Sequence, residues 1–143
     1  MRKIKRKAAE ILQKANLKRT AGRIALLTLL LETKAPLSGP EIAEKLSDID
    51  FNQASIYRSL ASFQEAGIVH KIESGDRASR FALCACDTKG HCHPHFICNR
   101  CGRTECLGNM SMPEINSKKL ANYRIEEKEF YLRGLCNRCL AKK

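Results

Sequence analysis

Residues 52–73 read Asn52-Gln53-Ala54-Ser55-Ile56-Tyr57-Arg58-Ser59-Leu60-Ala61-Ser62-Phe63-Gln64-Glu65-Ala66-Gly67-Ile68-Val69-His70-Lys71-Ile72-Glu73. Ile56, Leu60 and Phe63 recur at i, i+4 and i+7, the spacing of one helix face. Asn52 offers a side-chain oxygen to the free amides at the helix start, and Gly67 stands at the usual C-terminal stop. The run Ile68–Glu73 then has strand character. A second such run, Arg80–Cys84, follows across the turn-rich Ser74-Gly75-Asp76.

Working upstream, Ser38-Gly39-Pro40-Glu41 is a capping box: a serine hydroxyl for the amides, with glutamate three residues on. It opens a short helix with Ile42 and Leu46 facing inward. Before it, Thr20 caps a helix to about Glu32 whose Ile24, Leu27 and Leu31 recur at helical spacing, and Lys34-Ala35-Pro36 stops it. Residues 2–16 form a further short helix with a basic start (Arg2, Lys3, Lys5, Arg6, Lys7) and Ile11, Leu12 and Ala15 on one side. Helices followed by a β-hairpin is the order of a winged helix-turn-helix, whose last helix enters the major groove of a duplex. That helix presents Gln53, Ser55, Tyr57 and Arg58 off its apolar stripe. Such residues on an isolated helix usually do no more than face solvent. Here the element order and the basic start make them candidate DNA-reading groups.

The bulk properties agree. The chain has 143 residues, 43% hydrophobic, enough for one ordinary domain or two small ones. Its net charge is +11, with 15 Lys+Arg against 9 Asp+Glu before residue 84 and 11 against 6 from there on. A basic excess of this kind suits a polyanionic partner, though a soluble basic protein also shows it. No apolar stretch approaches the length that spans a bilayer, and Met1–Lys18 reads as a charged amphipathic helix and not a signal peptide. The expected compartment is the cytoplasm, with no membrane partner and no small-molecule substrate.

From residue 88 the texture changes. Thr88-Lys89-Gly90 resembles a linker, Ser111-Met112-Pro113-Glu114 opens an expected helix to about Ala121, and Tyr123–Ile125 and Phe130–Leu132 have strand character. All eight cysteines lie in this half or at its edge, six of them between Cys84 and Cys106. In a reducing compartment disulfides are disfavoured, so metal binding leads. Cys98-Asn99-Arg100-Cys101 and Cys136-Asn137-Arg138-Cys139 form two Cys-x-x-Cys pairs. Two residues between thiolates let both sulfurs converge on one ion, and two such turns complete the tetrahedral shell of structural zinc. The gap of 34 residues between them is longer than in a zinc ribbon and leaves room for other elements. A redox Cys-x-x-Cys would want one pair between a strand and a helix start. A second cluster comprises Cys84, Cys86, Cys92 and Cys106 with the four histidines. His91, His93 and His95 alternate along the chain, so in an extended segment they share a face. Mixed sulfur and imidazole donors suit Zn²⁺ and point to a regulatory zinc site. For catalysis, no His-x-Glu element precedes a Pro-Cys-x-x-Cys and no acid stands beside the histidines, so an enzyme is not expected.

Taken in order, several segments resemble the ferric-uptake-regulator family, most closely its zinc-responsive branch. They are Leu17-Lys18-Arg19-Thr20 with Arg23, Pro36-Leu37-Ser38 with Glu41-Ile42, Ser55–Leu60, Gly67–Lys71, His93–Gly102 and Gly134–Cys139. The resemblance implies an α+β architecture: a winged helix-turn-helix DNA-binding domain over residues 1–86, then a small α/β metal-binding dimerisation domain over 87–143. It implies a homodimeric repressor that binds palindromic double-stranded operator DNA when zinc-loaded and controls zinc uptake, with Arg19, Arg23, Gln53, Ser55, Tyr57 and Arg58 at the DNA. Cys98, Cys101, Cys136 and Cys139 would hold structural zinc, and His70, Cys84, His93 and His95 the regulatory ion, with His91 and Cys106 as further candidates. Iron and peroxide sensors of the family commonly carry a histidine where this chain has Thr33-Lys34-Ala35, and a further family site uses a histidine where Lys128 stands. Both departures, with sulfur at Cys84, favour zinc. The expected mechanism is a population shift in which the regulatory ion ties the wing to the sensing domain, while Lys and Arg of the first helix and wing, Arg77 and Arg80 included, meet phosphates. The alternatives are an iron- or peroxide-responsive regulator of the same family and a zinc-stabilised nucleic-acid or interaction module that senses nothing.

Overall fold

Helix α1 spans Arg2–Lys14 and buries Ala8 and Leu12. It ends at Asn16, which takes a left-handed φ of 57° while the Leu17 amide donates back to the Leu12 carbonyl at 2.9 Å. Asparagine is among the few residues that enter that region readily. Thr20 caps α2 (Ala21–Thr33) by accepting from the Arg23 amide at 3.3 Å. In the computed structural model, which describes residues 2–33, 35–73, 78–84, 94–107, 110, 113–126 and 128–142, the chain divides into two units, Met1–Cys84 and Ala85–Lys143.

In the first unit a two-residue strand, β1 (Leu37–Ser38), precedes α3 (Gly39–Lys45). The capping box forms: Ser38 Oγ accepts from the Glu41 amide at 3.3 Å, and Glu41 Oε2 accepts from the Ser38 amide at 2.9 Å. Helix α4 (Gln53–Glu65) begins at Asn52, whose Oδ1 accepts from the Ser55 amide at 2.8 Å. It stops at Gly67, where φ is +74° and the Ile68 amide donates to the Phe63 carbonyl at 2.8 Å. Only glycine takes that conformation without strain. Strands β2 (Val69–Ile72) and β3 (Arg80–Leu83) form the wing, and the sheet order is β1-β3-β2, antiparallel throughout. The core gathers Ala8, Leu12, Leu26, Leu27, Leu30, Ile42, Ile56, Leu60 and Phe63. In α4 the expected stripe Ile56, Leu60 and Phe63 is the buried one. In α1 and α2 the burial centres on Ala8 and Leu12 and on Leu26, Leu27 and Leu30, with the expected Ile11, Ile24 and Leu31 only partly buried, because α2 is apolar nearly all round.

The second unit is built on β4 (His95–Cys98), with β5 (Thr104–Cys106) antiparallel on one edge and β6 (Tyr131–Gly134) parallel on the other. A five-residue helix, α5 (Asn137–Ala141), follows. Among its described residues Cys98, Cys136 and Cys139 form a buried cluster with Phe96 packed against it, and Pro94, His95 and Ile97 are buried as well.

Two sequence expectations fail here. Of the helix expected over Ser111–Ala121, only the 3₁₀ turn Lys118–Leu120 forms among the described residues, and 113–117 is irregular. Asn116 and Ser117 compete for backbone bonds, Ser117 Oγ accepting from the Lys119 amide at 3.3 Å, and Ile115 is 61% exposed, so it anchors no helix face. The strand expected at Tyr123–Ile125 is likewise irregular, with Tyr123 68% and Ile125 50% exposed. Strand propensity alone makes no strand without a partner, and among the described residues no ladder takes in 123–125. Among the described residues no helix is long and apolar enough to cross a membrane.

Candidate functional site

The first Cys-x-x-Cys pair lies on the turn between β4 and β5. The Cys98 carbonyl accepts from the Gly102 amide at 3.0 Å and the Cys98 amide donates to the Arg103 carbonyl at 2.8 Å. The second pair lies between β6 and the start of α5, with Cys136 as the residue before its first turn. The strand-to-helix setting expected of a redox pair is thus present after all, and what favours a metal is the convergence of all four sulfurs. Parallel pairing of Cys98 with Gly134 brings the two turns together. The four sulfurs lie within 4.8 Å of one another, Cys101 Sγ and Cys136 Sγ at 3.7 Å. Zinc–sulfur bonds of about 2.3 Å in a tetrahedron place sulfurs about 3.8 Å apart, so the donor set fits a zinc ion.

The electrostatics favour a cation too. Amides of Cys101 and Cys136 point at the Cys98 sulfur and hold its thiol down to about 5. The Cys139 amide, foremost among its neighbours, lowers Cys136. Burial, then the surrounding sulfurs, push Cys139 up to about 12. Four thiolates cannot share this volume unaided. Cys98, Cys101, Cys136 and Cys139 would hold a dication at their centre, which would supply the missing charge and favour the thiolate forms.

The residues assigned to the regulatory ion fall in both units. In the first, His70 is buried in β2 opposite Ala82. The Cys84 amide extends the ladder by donating to the Ile68 carbonyl at 2.8 Å. Cys84 thus stands opposite Ile68 and shares a hairpin face with His70. In the second, buried His95 stands directly opposite Cys106 in the β4–β5 ladder, and its ring lies 5.8 Å from that of Tyr131 across β6. His91, His93, Cys86 and Cys92 lie outside the described residues.

Of the residues expected at DNA, Arg19, Gln53, Tyr57 and Arg58 are exposed, and Arg23 and Ser55 half-buried. Gln53, Tyr57 and Arg58 lie on the outer side of α4, away from Ile56, Leu60 and Phe63. Tyr57 also reaches back to α3: a Cβ at Gly39 would overlap its ring and hydroxyl. Arg23 Nη2 donates to Ser62 Oγ of α4 at 3.5 Å.

Arg80 corrects the phosphate-contact expectation. Its guanidinium grips Glu41 through two bonds, at 2.8 and 3.1 Å, and donates to the Pro36 carbonyl at 3.2 Å. It therefore fastens the wing to the α3 cap. The sequence hid this because the partners are 39 residues apart and Glu41 was already explained by its capping role. Burial raises the Glu41 carboxyl, but the Ser38 amide and then Arg80 outweigh it and hold it below its usual value. Arg77 lies outside the described residues.

The model of the ferric uptake regulator family matches residues 14–133. The peroxide-responsive repressor PerR of Staphylococcus aureus is 29% identical, with 90% of this chain and 86% of the repressor covered. Among solved structures, the ferric uptake regulator of Vibrio cholerae is 27% identical with a TM-score of 0.61, over 89% of this chain and 98% of that one. A zinc uptake regulator complexed with zinc and DNA shares the fold at 22% identity and a TM-score of 0.70, over 98% of this chain and 95% of that one.

Proposed function

The chain belongs to the ferric uptake regulator family, and on that premise we infer that it is a zinc-responsive repressor. In this reading it acts as a homodimer that binds palindromic operator DNA when zinc-loaded, controls zinc-uptake genes and catalyses no reaction. The observation that carries it is the pairing of an exposed α4 face, bearing Gln53, Tyr57 and Arg58, with a four-thiolate cluster of zinc dimensions in the same chain. Cys98, Cys101, Cys136 and Cys139 are assigned the structural ion. His70, Cys84, His93 and His95 are assigned the regulatory one, with Cys106 beside His95 and His91 as further candidates. The winged-helix unit is assigned to residues 1–86 and the metal-binding dimerisation unit to 87–143.

The choice of zinc over iron rests on donor chemistry. Sulfur at Cys84, on the same hairpin face as His70, suits Zn²⁺ better than Fe²⁺ or Mn²⁺. The relative named for peroxide sensing keeps the iron reading as the competitor. The test uses a duplex selected from a randomised pool by the zinc-loaded protein, its fluorescence anisotropy followed across buffered Zn²⁺, Fe²⁺ and Mn²⁺ and after peroxide. Affinity that rises with Zn²⁺ alone supports the proposal. A response to iron that peroxide abolishes moves the chain to the peroxide branch, and metal-indifferent binding makes it a non-sensing module.

A further inference from the structure

The chain carries the tetrapeptide Cys-Asn-Arg-Cys twice, at 98–101 and 136–139, yet the two arginines behave differently. Arg100 reaches from the first turn to the far end of α5, where Nη1 donates to the Cys139 carbonyl at 2.9 Å and the Lys142 carbonyl at 3.1 Å. Arg138, at the matching position, is exposed, and among the described residues it donates only its backbone amide, to Asn137 Oδ1 at 3.0 Å. Helix α5 has five residues. A helix that short is not stable alone in water, and its last carbonyls have no intrahelical donors. A guanidinium at that end satisfies two of them and complements the negative pole of the helix. Further ties run the same way: the Asn99 amide donates to the Gly134 carbonyl at 2.8 Å, and the Cys136 amide to Cys98 Sγ at 3.3 Å.

We propose that Arg100 is a positioning residue for the structural metal, clamping α5 so that Cys136 and Cys139 stay at the ion, and that it thereby sets how slowly the ion leaves. The proposal rests on the assignment of the four thiolates to zinc. An ion leaves a tetrathiolate one ligand at a time, and the pair on the five-residue helix is the less firmly held of the two. While the clamp holds, a released Cys139 stays within reach and rebinds before the next sulfur lets go, an effective-concentration effect. Among the described residues the Arg138 side chain holds no carbonyl, so on this proposal it adds nothing to retention despite its identical sequence setting.

The experiment uses the zinc-loaded full chain, challenged with excess chelator while released zinc is read with a chromogenic indicator. Arg100→Ala should release its slow zinc equivalent about tenfold faster than wild type, the scale of one charge-assisted hydrogen bond. Arg100→Lys, a point charge in place of a two-carbonyl fork, should fall between, and Arg138→Ala should match wild type. Hydrogen exchange gives a readout independent of metal release: amides of residues 138–141 should lose protection in Arg100→Lys while those of β4 and β5 keep theirs. If Arg100→Ala does not fold, the lysine variant carries the test by both measurements. Equal release rates in wild type, Arg100→Ala and Arg100→Lys would overturn the clamp, as would an equal acceleration in Arg138→Ala. A wild-type protein that retains no slow zinc equivalent would instead sink the structural-zinc assignment, so the two failures are distinct.

Discussion

Replacing Glu41 with alanine removes two separate functions from one carboxylate, and the structure sets the size of each. Oε2 accepts the Ser38 amide at 2.9 Å, closing the capping box of α3. Loss of such a cap costs about 1 kcal/mol. The same carboxylate holds Arg80 through two bonds, with the side chains 25% (Arg80) and 39% (Glu41) exposed. A half-exposed but bidentate pair belongs at the upper end of surface ion pairs, about 1 kcal/mol. Glu41→Ala should therefore destabilise the first unit by about 2 kcal/mol, and Arg80→Ala and Glu41→Gln by about 1 each, on the same reckoning. The double variant Glu41→Ala/Arg80→Ala should show a coupling near 1 kcal/mol.

The assay is urea unfolding of the zinc-saturated protein followed at 222 nm. Nearly all helix lies in α1 to α4, so the signal reports the first unit. The pH dependence has a definite sign. The Glu41 carboxyl sits below its usual 4.5 in the folded state, so its contribution is complete above that value and is lost as pH falls through the folded pKa. The gap between wild type and Glu41→Gln should hold at pH 7 and close as the carboxylate protonates. A coupling under about 0.3 kcal/mol, within ordinary additivity error, or a gap that persists once Glu41 is protonated, would refute the wing-to-cap tether.

Cys98→Ser or Cys136→Ser should each lose about one zinc per chain and, with it, the dimer, since structural zinc contributes folding free energy directly; metal analysis with light scattering checks both. Arg58→Ala should bind the selected duplex at least about tenfold more weakly, the scale of one base contact, while keeping zinc and dimer. Wild-type affinity should fall with salt at a log–log slope of roughly 0.9 per phosphate met. Cys84→Ser and His93→Ala should each give a folded dimer that keeps one slow zinc and no longer responds to added Zn²⁺ in the anisotropy titration. Wild-type affinity at limiting zinc should also drop as pH falls below neutrality, because imidazole and thiol donors must lose protons to bind.

The two units differ in how much of them the sequence disclosed, and the reason lies in their cores. Ile56, Leu60 and Phe63 are fully buried or nearly so, and a core made of aliphatic and aromatic side chains on helices writes itself into the chain as a 3.6-residue period. Caps at Asn52 and Ser38 and the stop at Gly67 were legible for the same local reason. The strand β1 was not, because two residues carry no period and its partner Phe81 lies far along the chain. Contacts such as Arg80 to Glu41 and Arg100 to Cys139 join residues 39 positions apart and leave no local mark at all.

Among the described residues of the second unit a buried cluster of three cysteines, with Phe96 packed against it, stands beside the buried Pro94, His95 and Ile97. Cysteine spacing therefore revealed its chemistry, while hydrophobic pattern misplaced its elements: an expected helix dwindled to the turn Lys118–Leu120, and Tyr123–Ile125 found no strand to pair with. With a buried cysteine cluster among its described residues, the unit would gain folding free energy from an ion held by those sulfurs. In the proposed repressor this has a functional consequence. A four-thiolate ion that contributes to folding would be ill placed to report on zinc supply, and such a report is better made by donors whose occupancy can change while the fold persists. His70 and Cys84, on a wing hairpin anchored by an aliphatic core, meet that condition; the two Cys-x-x-Cys turns do not.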